Sequence, residues 1–256
     1  MQSSPKAFYD LYDYRDFWRR RTYEDNADRQ ALTRLLGELP SPRSNLLDVG
    51  CGFGRNALIY AGLTRQATLV DPSAVNLKTA GQYLKSAKNL KFVQARGEKL
   101  PFPGATFDTL ICIRVLHHLP DPGKALGEFY RVLQPGGYLI LEFANKLHAK
   151  ARIKAALSGQ WNRLSRPEPQ DIRSESSKQA RTIPFVNHHP ETIIATLKKH
   201  GFLVSRILSV SNLRSPMARS SYLEPFLSTV EKLSQIPLAP IYFGPSIYVL
   251  ARRPKV

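Results

Sequence analysis

Cysteine is scarce in this chain, with two residues, Cys51 and Cys112, among 256. Both sit in stretches that read as core or near-core, and no paired spacing exists for a disulfide framework or a zinc site. Long apolar runs are missing as well; none approaches the roughly 20 residues that a membrane span needs. The first twenty residues hold Asp10, Asp13, Arg15, Asp16, Arg19 and Arg20, which leaves no room for a secretory apolar core. These absences point to a cytoplasmic protein without a membrane span. Acidic residues are also in short supply, 20 against 37 Lys+Arg, for a net charge of +17. Residues 1–145 carry 19 basic and 14 acidic residues, whereas residues 146–256 carry 18 and 6, so the basicity belongs mostly to the C-terminal portion. Such a field attracts nucleic acid, anionic lipid or acidic small molecules, and in its plainest form only solubilises.

Enough hydrophobic residues remain, 43 % of the chain, to bury a full core in one large domain. From Asn45 onward, strand-like and helix-like patterns alternate. NLLDV (45–49), ATLVD (67–71), KFVQA (91–95), FDTLICIRV (107–115) and GYLILEF (137–143) read as buried strands. Helical patterns run from Arg55 to Ala61, Ser73 to Lys85 and Pro122 to Leu133. Near-continuous apolar strands separated by helices predict an α/β doubly wound, parallel sheet covered on both faces. A helical leader (1–44) precedes this core (45–256), with an amphipathic helix over Asn26–Leu39. A basic insertion at about 146–186 predicts a short helix followed by a mobile loop. A helix then starts at Pro190 and ends at Gly201, strand FLVSRILSV follows, and the last strand is SIYVLARR. The connection 211–243 is expected to hold a helix from Tyr222 to Leu233.

The stretch LLDVGCGFGR, Leu46 to Arg55, carries the sharpest signal. Glycines on alternate positions let a backbone turn tightly and come close to a ligand. The dinucleotide turn GxGxxG would need a third glycine where Arg55 stands. Asp48, two residues before the turn, would repel a pyrophosphate and welcome an amine.

Together with VDPS (70–73), EKLPFPGATFDTLICIRVLHHLPDP (98–122) and LGEFYRVLQPGGYLIL (126–141), this stretch resembles the class I S-adenosylmethionine-dependent methyltransferases. The likeness runs from about Leu46 to Phe143 and is strongest to their small-molecule, methyltransferase type 11-like branch. The resemblance implies a Rossmann-like seven-stranded sheet and S-adenosyl-L-methionine as cofactor. It lays the turn Asp48, Gly50, Cys51, Gly52 and Gly54 along the methionine part of that cofactor. It gives the ribose hydroxyls to Asp71, whose two oxygens match a vicinal diol, and sets Pro72 beside the adenine. The end of the fourth strand, Ile113 to His117, would face the sulfonium and the substrate, with Ile113, Arg114 and His118 binding the cofactor. The family's acid after strand three is absent: Arg96-Gly97-Glu98 stands there, so the adenine contact would fall to Gly97 and Glu98.

Methyl transfer is an in-line displacement in which a base matters when the acceptor is a hydroxyl. His117 and His188 are the candidates, His118 reads as structural, and His189 before Pro190 as a helix cap. Leader aromatics Phe8, Tyr9, Tyr12, Tyr14, Phe17, Trp18 and Tyr23 either pack or fold over the cofactor, with Arg19 or Arg20 pairing its carboxylate. KLHAKARIKAAL (146–157) has a weak apolar face and reads as a lid over the acceptor pocket more than as a membrane-surface helix. The expected partner is a small or medium-sized methyl acceptor, and the basic cap suggests an acidic one. A tRNA or rRNA methyltransferase and a non-catalytic cofactor-binding domain acting through a partner are the rivals. Acceptor, attacked atom and oligomeric state stay open at this point.

Overall fold

In the computed structural model, residues 14–40, 43–119, 121–179, 182, 184–214 and 223–255 are described. Seven strands form one sheet: β1 (Arg43–Val49), β2 (Thr64–Asp71), β3 (Leu90–Gln94), β4 (Phe107–Cys112), β5 (Leu133–Ala144), β8 (Leu203–Val210) and β9 (Ser246–Arg252). Their order is β3-β2-β1-β4-β5-β9-β8. The five from β3 to β5 are parallel, and β9 lies antiparallel to both β5 and β8.

The strands read as continuous apolar runs because both sheet faces are covered. Side chains alternate between faces, and the core divides accordingly. Leu47, Leu110, Leu139 and Val249 join one cluster with Phe129 and Leu197, from α5 (Pro122–Val132) and α9 (Pro190–Lys199). Leu46, Ile111, Ile140 and Tyr248 face the other way, onto α2 (Thr22–Gly37) and α3 (Ala57–Tyr60). A fifth helix of these layers, α4 (Ala74–Tyr83), starts where Ser73 Oγ accepts from the Asn76 amide.

Several elements differ from the sequence reading. β4 stops at Cys112, not Val115, because Arg114 takes a left-handed conformation (φ +62°) that no strand continues through. Among the described leader residues, Ala27, Ala31, Leu32, Leu35 and Leu36 of α2 belong to the core. Among the same residues, Phe17 and Trp18 of α1 (Tyr14–Arg19), Arg21 and Glu24 bring side chains to the site. The helix expected near Tyr222 is α10 (Glu224–Ser234), packed on α2 through Gln30 to Ser228 and Tyr23 to Glu231. Tyr222 itself, and Phe8, Tyr9 and Tyr12, lie outside the described residues. The loop predicted after the basic helix α6 (Ala149–Leu157) holds α7 (Trp161–Ser165), α8 (Glu175–Gln179) and a two-stranded ribbon of β6 (Gln170–Asp171) with β7 (Val186–Asn187). Among the described residues no helix is long and apolar enough to cross a membrane.

Candidate active site

The sheet order reverses between β1 and β4, so helices leave these neighbours toward opposite faces and a crevice opens beyond their C-terminal ends. Asp48 is paired in register with Ile111, which brings the turn after β1 beside the turn after β4. A cavity of about 380 Å³ lies there. Its floor is Gly50–Phe53, Ile113 and Arg114; its walls are His117, His118 and Phe185; α1 covers it with Phe17 and Trp18.

Gly50, Gly52 and Gly54 all have positive φ (75°, 55° and 82°). Two are demanded by the protein itself: a Cβ at Gly50 would run into Val115, and one at Gly54 would come within 2.5 Å of Leu84. Gly52 differs, because nothing lies within 4 Å of where its Cβ would stand. That open position lets a ligand approach the backbone. The turn is held from below by Asp71, whose Oδ2 accepts from the Gly52 amide (2.9 Å) and whose Oδ1 accepts from the Ser73 amide (2.9 Å).

Asp48 is buried and does not reach the cavity wall. Its Oδ2 accepts from the Tyr60 hydroxyl at 2.6 Å. Burial pushes the carboxyl up to about 6, against the Tyr60 hydrogen bond and the Arg55 charge that favour ionisation. The polar atom that does await an amine on the wall is Asn56 Oδ1, buried with no partner. Burial likewise keeps the Cys51 thiol well above its ordinary range and unreactive.

Behind the floor lies a buried charge network that the sequence reading missed. Asp28 accepts from Arg55 Nη2 (2.7 Å), Arg114 Nε and Nη2 (3.1 and 2.8 Å) and the Tyr248 hydroxyl (2.8 Å). Arg55 also holds Asp25 (2.5 Å), and Glu142 accepts from the Arg114 amide (2.8 Å). Burial works to raise the Asp28 carboxyl, but Arg114 and Arg55 outweigh it and hold it below the carboxylate range. Arg55 also lies under the Trp18 ring, 3.7 Å from its centroid. One signal for this was legible: Asp28 falls on the apolar stripe of α2, where an acid requires a partner.

The four arginines on the cavity, Arg21, Arg55, Arg114 and Arg214, are matched by Glu24, Asp25, Asp28 and Glu142. The leader arginine at the site is Arg21; Arg19 and Arg20 are exposed, and Arg20 pairs with Asp16. Among the described residues, none of α6 lines the cavity, and the basic insertion contributes only Phe185.

The histidines separate clearly. His117 is buried at 4 %, stacked 4.4 Å from Phe185, and its Nδ1 has no partner. Burial, with His118, Arg114 and His188 around it, drops its imidazole well below the usual value. His118 places Nδ1 2.8 Å from the Pro184 carbonyl, which can only accept, so Nδ1 carries the proton and Nε2 is the basic nitrogen. Burial lowers its imidazole too, against the Pro184 bond. His188 is a correction: its Nε2 faces the Leu116 carbonyl at 3.4 Å, behind the histidine turn and off the cavity wall. His189 stands at the N-cap of α9, yet its side chain makes no cap bond. Pro72, Gly97 and Glu98 also lie off this cavity; Gly97 packs against Val49 and Phe129.

Residues 47–141 match the methyltransferase domain family. The ubiquinone/menaquinone biosynthesis C-methyltransferase UbiE of Rickettsia bellii is 37 % identical over 147 residues, covering 53 % of this chain and 56 % of that protein. The ubiquinone biosynthesis O-methyltransferase of a Caulobacter species is 34 % identical over 141 residues, covering 52 % and 56 %. An S-adenosylmethionine-dependent methyltransferase from Mesorhizobium loti shares the fold, with a TM-score of 0.59 at 16 % identity, over 88 % of this chain and 98 % of that one. The chain spans about half the length of the curated relatives it matches. Segment 47–141 is thus a class I, S-adenosylmethionine-dependent methyltransferase domain, and S-adenosyl-L-methionine is its cofactor. The residues present fit that molecule: an open glycine at the turn and an unpartnered acceptor at Asn56 suit an amino acid with a sulfonium.

Proposed function

We propose that this chain transfers a methyl group from S-adenosylmethionine to a small acceptor that carries an aromatic ring and no strong charge. The observation that carries this reading is the cavity wall itself. Phe17, Trp18, Phe53 and Phe185 present ring faces and edges, and every arginine there already has a carboxylate. Flat apolar rings pack on such walls, and a charged acceptor would have to compete with an existing ion pair. The two relatives whose names specify methylation at carbon or oxygen on the way to ubiquinone support the same acceptor class.

Bound S-adenosylmethionine supplies an electrophilic methyl group on a sulfonium centre. Gly50 to Gly54 and Asn56 would hold its amino-acid end, and Asp71, Pro72, Gly97 and Glu98 its nucleoside. Trp18 and Phe185 exclude water and orient the acceptor ring, which is most of what a displacement needs. His118 Nε2 takes the proton that the acceptor loses as its new bond to the methyl carbon forms. His117, kept neutral by burial, stacks behind Phe185 and keeps that ring in place. In this reading His118 serves as the base, in place of the sequence candidates His117 and His188.

The test is a transfer assay with methyl-labelled S-adenosylmethionine offered phenols, hydroquinones, acidic metabolites and RNA side by side. Label in the phenol or hydroquinone products supports the reading. Label in RNA or in the acidic metabolites overturns it. Cofactor binding without transfer to any of them also overturns it, in favour of a non-catalytic domain.

A further inference from the structure

The basic helix α6 is built inside out. Its buried residue is Ala155, 6 % exposed, whereas Ile153 and Leu157 are 61 % and 86 % exposed. Each lies two residues from Ala155, about 200° around a helix of 3.6 residues per turn, and so on the opposite face. Lys150 falls beside Leu157 at the edge of that face and Lys154 flanks it; both are exposed. After the turn at Gly159, α7 opens with Trp161, again half exposed at 51 %. A helix that served only to cover a pocket would turn Ile153 and Leu157 inward. Here they point away from the body of the protein, among cations.

We propose that this face of α6 and α7 docks on the surface of an anionic lipid bilayer, with Ile153, Leu157 and Trp161 entering the headgroup–acyl boundary. The charge of the chain selects the occupant. With a net charge of +17, and 18 basic against 6 acidic residues after position 145, a second copy of the chain would be repelled from this face. A nucleic acid would satisfy the lysines but leave Ile153 and Leu157 no apolar surroundings. An anionic bilayer satisfies both, lipid phosphates meeting Lys154 and acyl chains the apolar side chains, with tryptophan at the depth it favours. Docking through α6 and α7 alone buries few apolar side chains and is reversible.

The docking face is tied to the site. Lys150 Nζ donates to the Arg214 carbonyl at 2.6 Å, and Arg214 lines the cavity. Arg152, on the inner side of α6, anchors it to the Leu147 carbonyl at 2.6 Å and to the Ile241 carbonyl. The helix is therefore fixed beside the catalytic cavity, where a bilayer-dissolved acceptor would arrive. The docking proposal itself does not depend on which acceptor is methylated.

The experiment is co-sedimentation of the full chain with phosphatidylcholine vesicles, with and without phosphatidylglycerol, at low and high salt. We expect binding only to the anionic vesicles, weakened by salt. Ile153→Ser with Leu157→Ser should lower it about tenfold or more, and Lys154→Glu by a similar factor. These residues are exposed, so the variants keep the fold, which circular dichroism checks. Leu203→Ser, at an apolar residue 60 % exposed on β8, should leave binding unchanged. Tryptophan emission should shift to the blue on anionic vesicles, and the shift should vanish in Trp161→Phe. Absence of vesicle binding at low salt, binding indifferent to the Ile153 and Leu157 changes, or a dimer that those changes dissociate would each overturn the proposal.

Discussion

Arg114 grips Asp28 with two donors, Nε at 3.1 Å and Nη2 at 2.8 Å, across 86 positions of sequence. The pair joins the leader helix to the turn after β4 and holds Arg114 in its left-handed conformation at the cavity floor. Arg55 and Tyr248 supply two more donors, so the four lone-pair sites of the carboxylate are filled. Asp28→Asn keeps the shape and removes the charge, leaving two buried guanidinium groups short of a partner. The loss should be about 3–5 kcal/mol, read from urea unfolding, whereas Tyr248→Phe should cost about 1 kcal/mol.

Asp48 makes stability depend on pH in a definite direction. Its carboxyl ionises near 6 in the folded protein, above the ordinary 3.8. The folded state thus holds this proton more tightly than the unfolded chain. Its contribution is complete below about pH 4 and is lost as pH rises through 6, on the order of 3 kcal/mol in all. Asp48→Asn should abolish that slope, so the stability difference between variant and parent should widen in the variant's favour from pH 4 to pH 7. A parallel pair of curves would mean that Asp48 ionises normally.

The glycines of the turn should part company under substitution. Gly52→Ala meets open space and pays only for its positive φ, about 1–2 kcal/mol. Its effect should fall on S-adenosylmethionine binding, measured by calorimetry. Gly50→Ala drives a methyl group into Val115 as well and should lower the melting temperature more than Gly52→Ala does. Equal losses of stability with unchanged cofactor affinity would contradict the cradle at Gly52.

The histidines can be told apart by pH profile. If His118 is the base, kcat/KM falls on the acid side only below the usual imidazole value of about 6.5, because burial lowers its own. His118→Gln should reduce kcat by about 10²–10⁴-fold and flatten that acid limb. His188→Gln removes the support for the Leu116 carbonyl and should lower stability while leaving the limb where it is. A limb that moves with His188 instead would return the role to that residue.

Much of the fold was legible because it is written in local patterns. The apolar runs at 45–49, 67–71 and 137–143 can only be strands buried on both faces, and β1, β2 and β5 contain them. Gly50, Gly52 and Gly54 marked the turn because positive φ leaves little choice of residue. Pro190 and Gly201 bounded α9 for similarly local reasons. The end of β4 was not legible, since Arg114 is left-handed by virtue of Asp28 and Glu142, far away in the chain.

By itself, then, the sequence determined the alternating strands and helices, the glycine turn and the family resemblance, all of which rest on residue type at short spacing. Which histidine keeps a basic nitrogen at the cavity was decided by the Pro184 carbonyl, 66 positions from His118. Which arginines face the site, and that each already has a carboxylate, was decided by how α2 packs on the sheet. So was the direction of α6: its composition is the same whether Leu157 faces a pocket or the solvent. Only burial, which depends on everything around a residue, distinguishes the two.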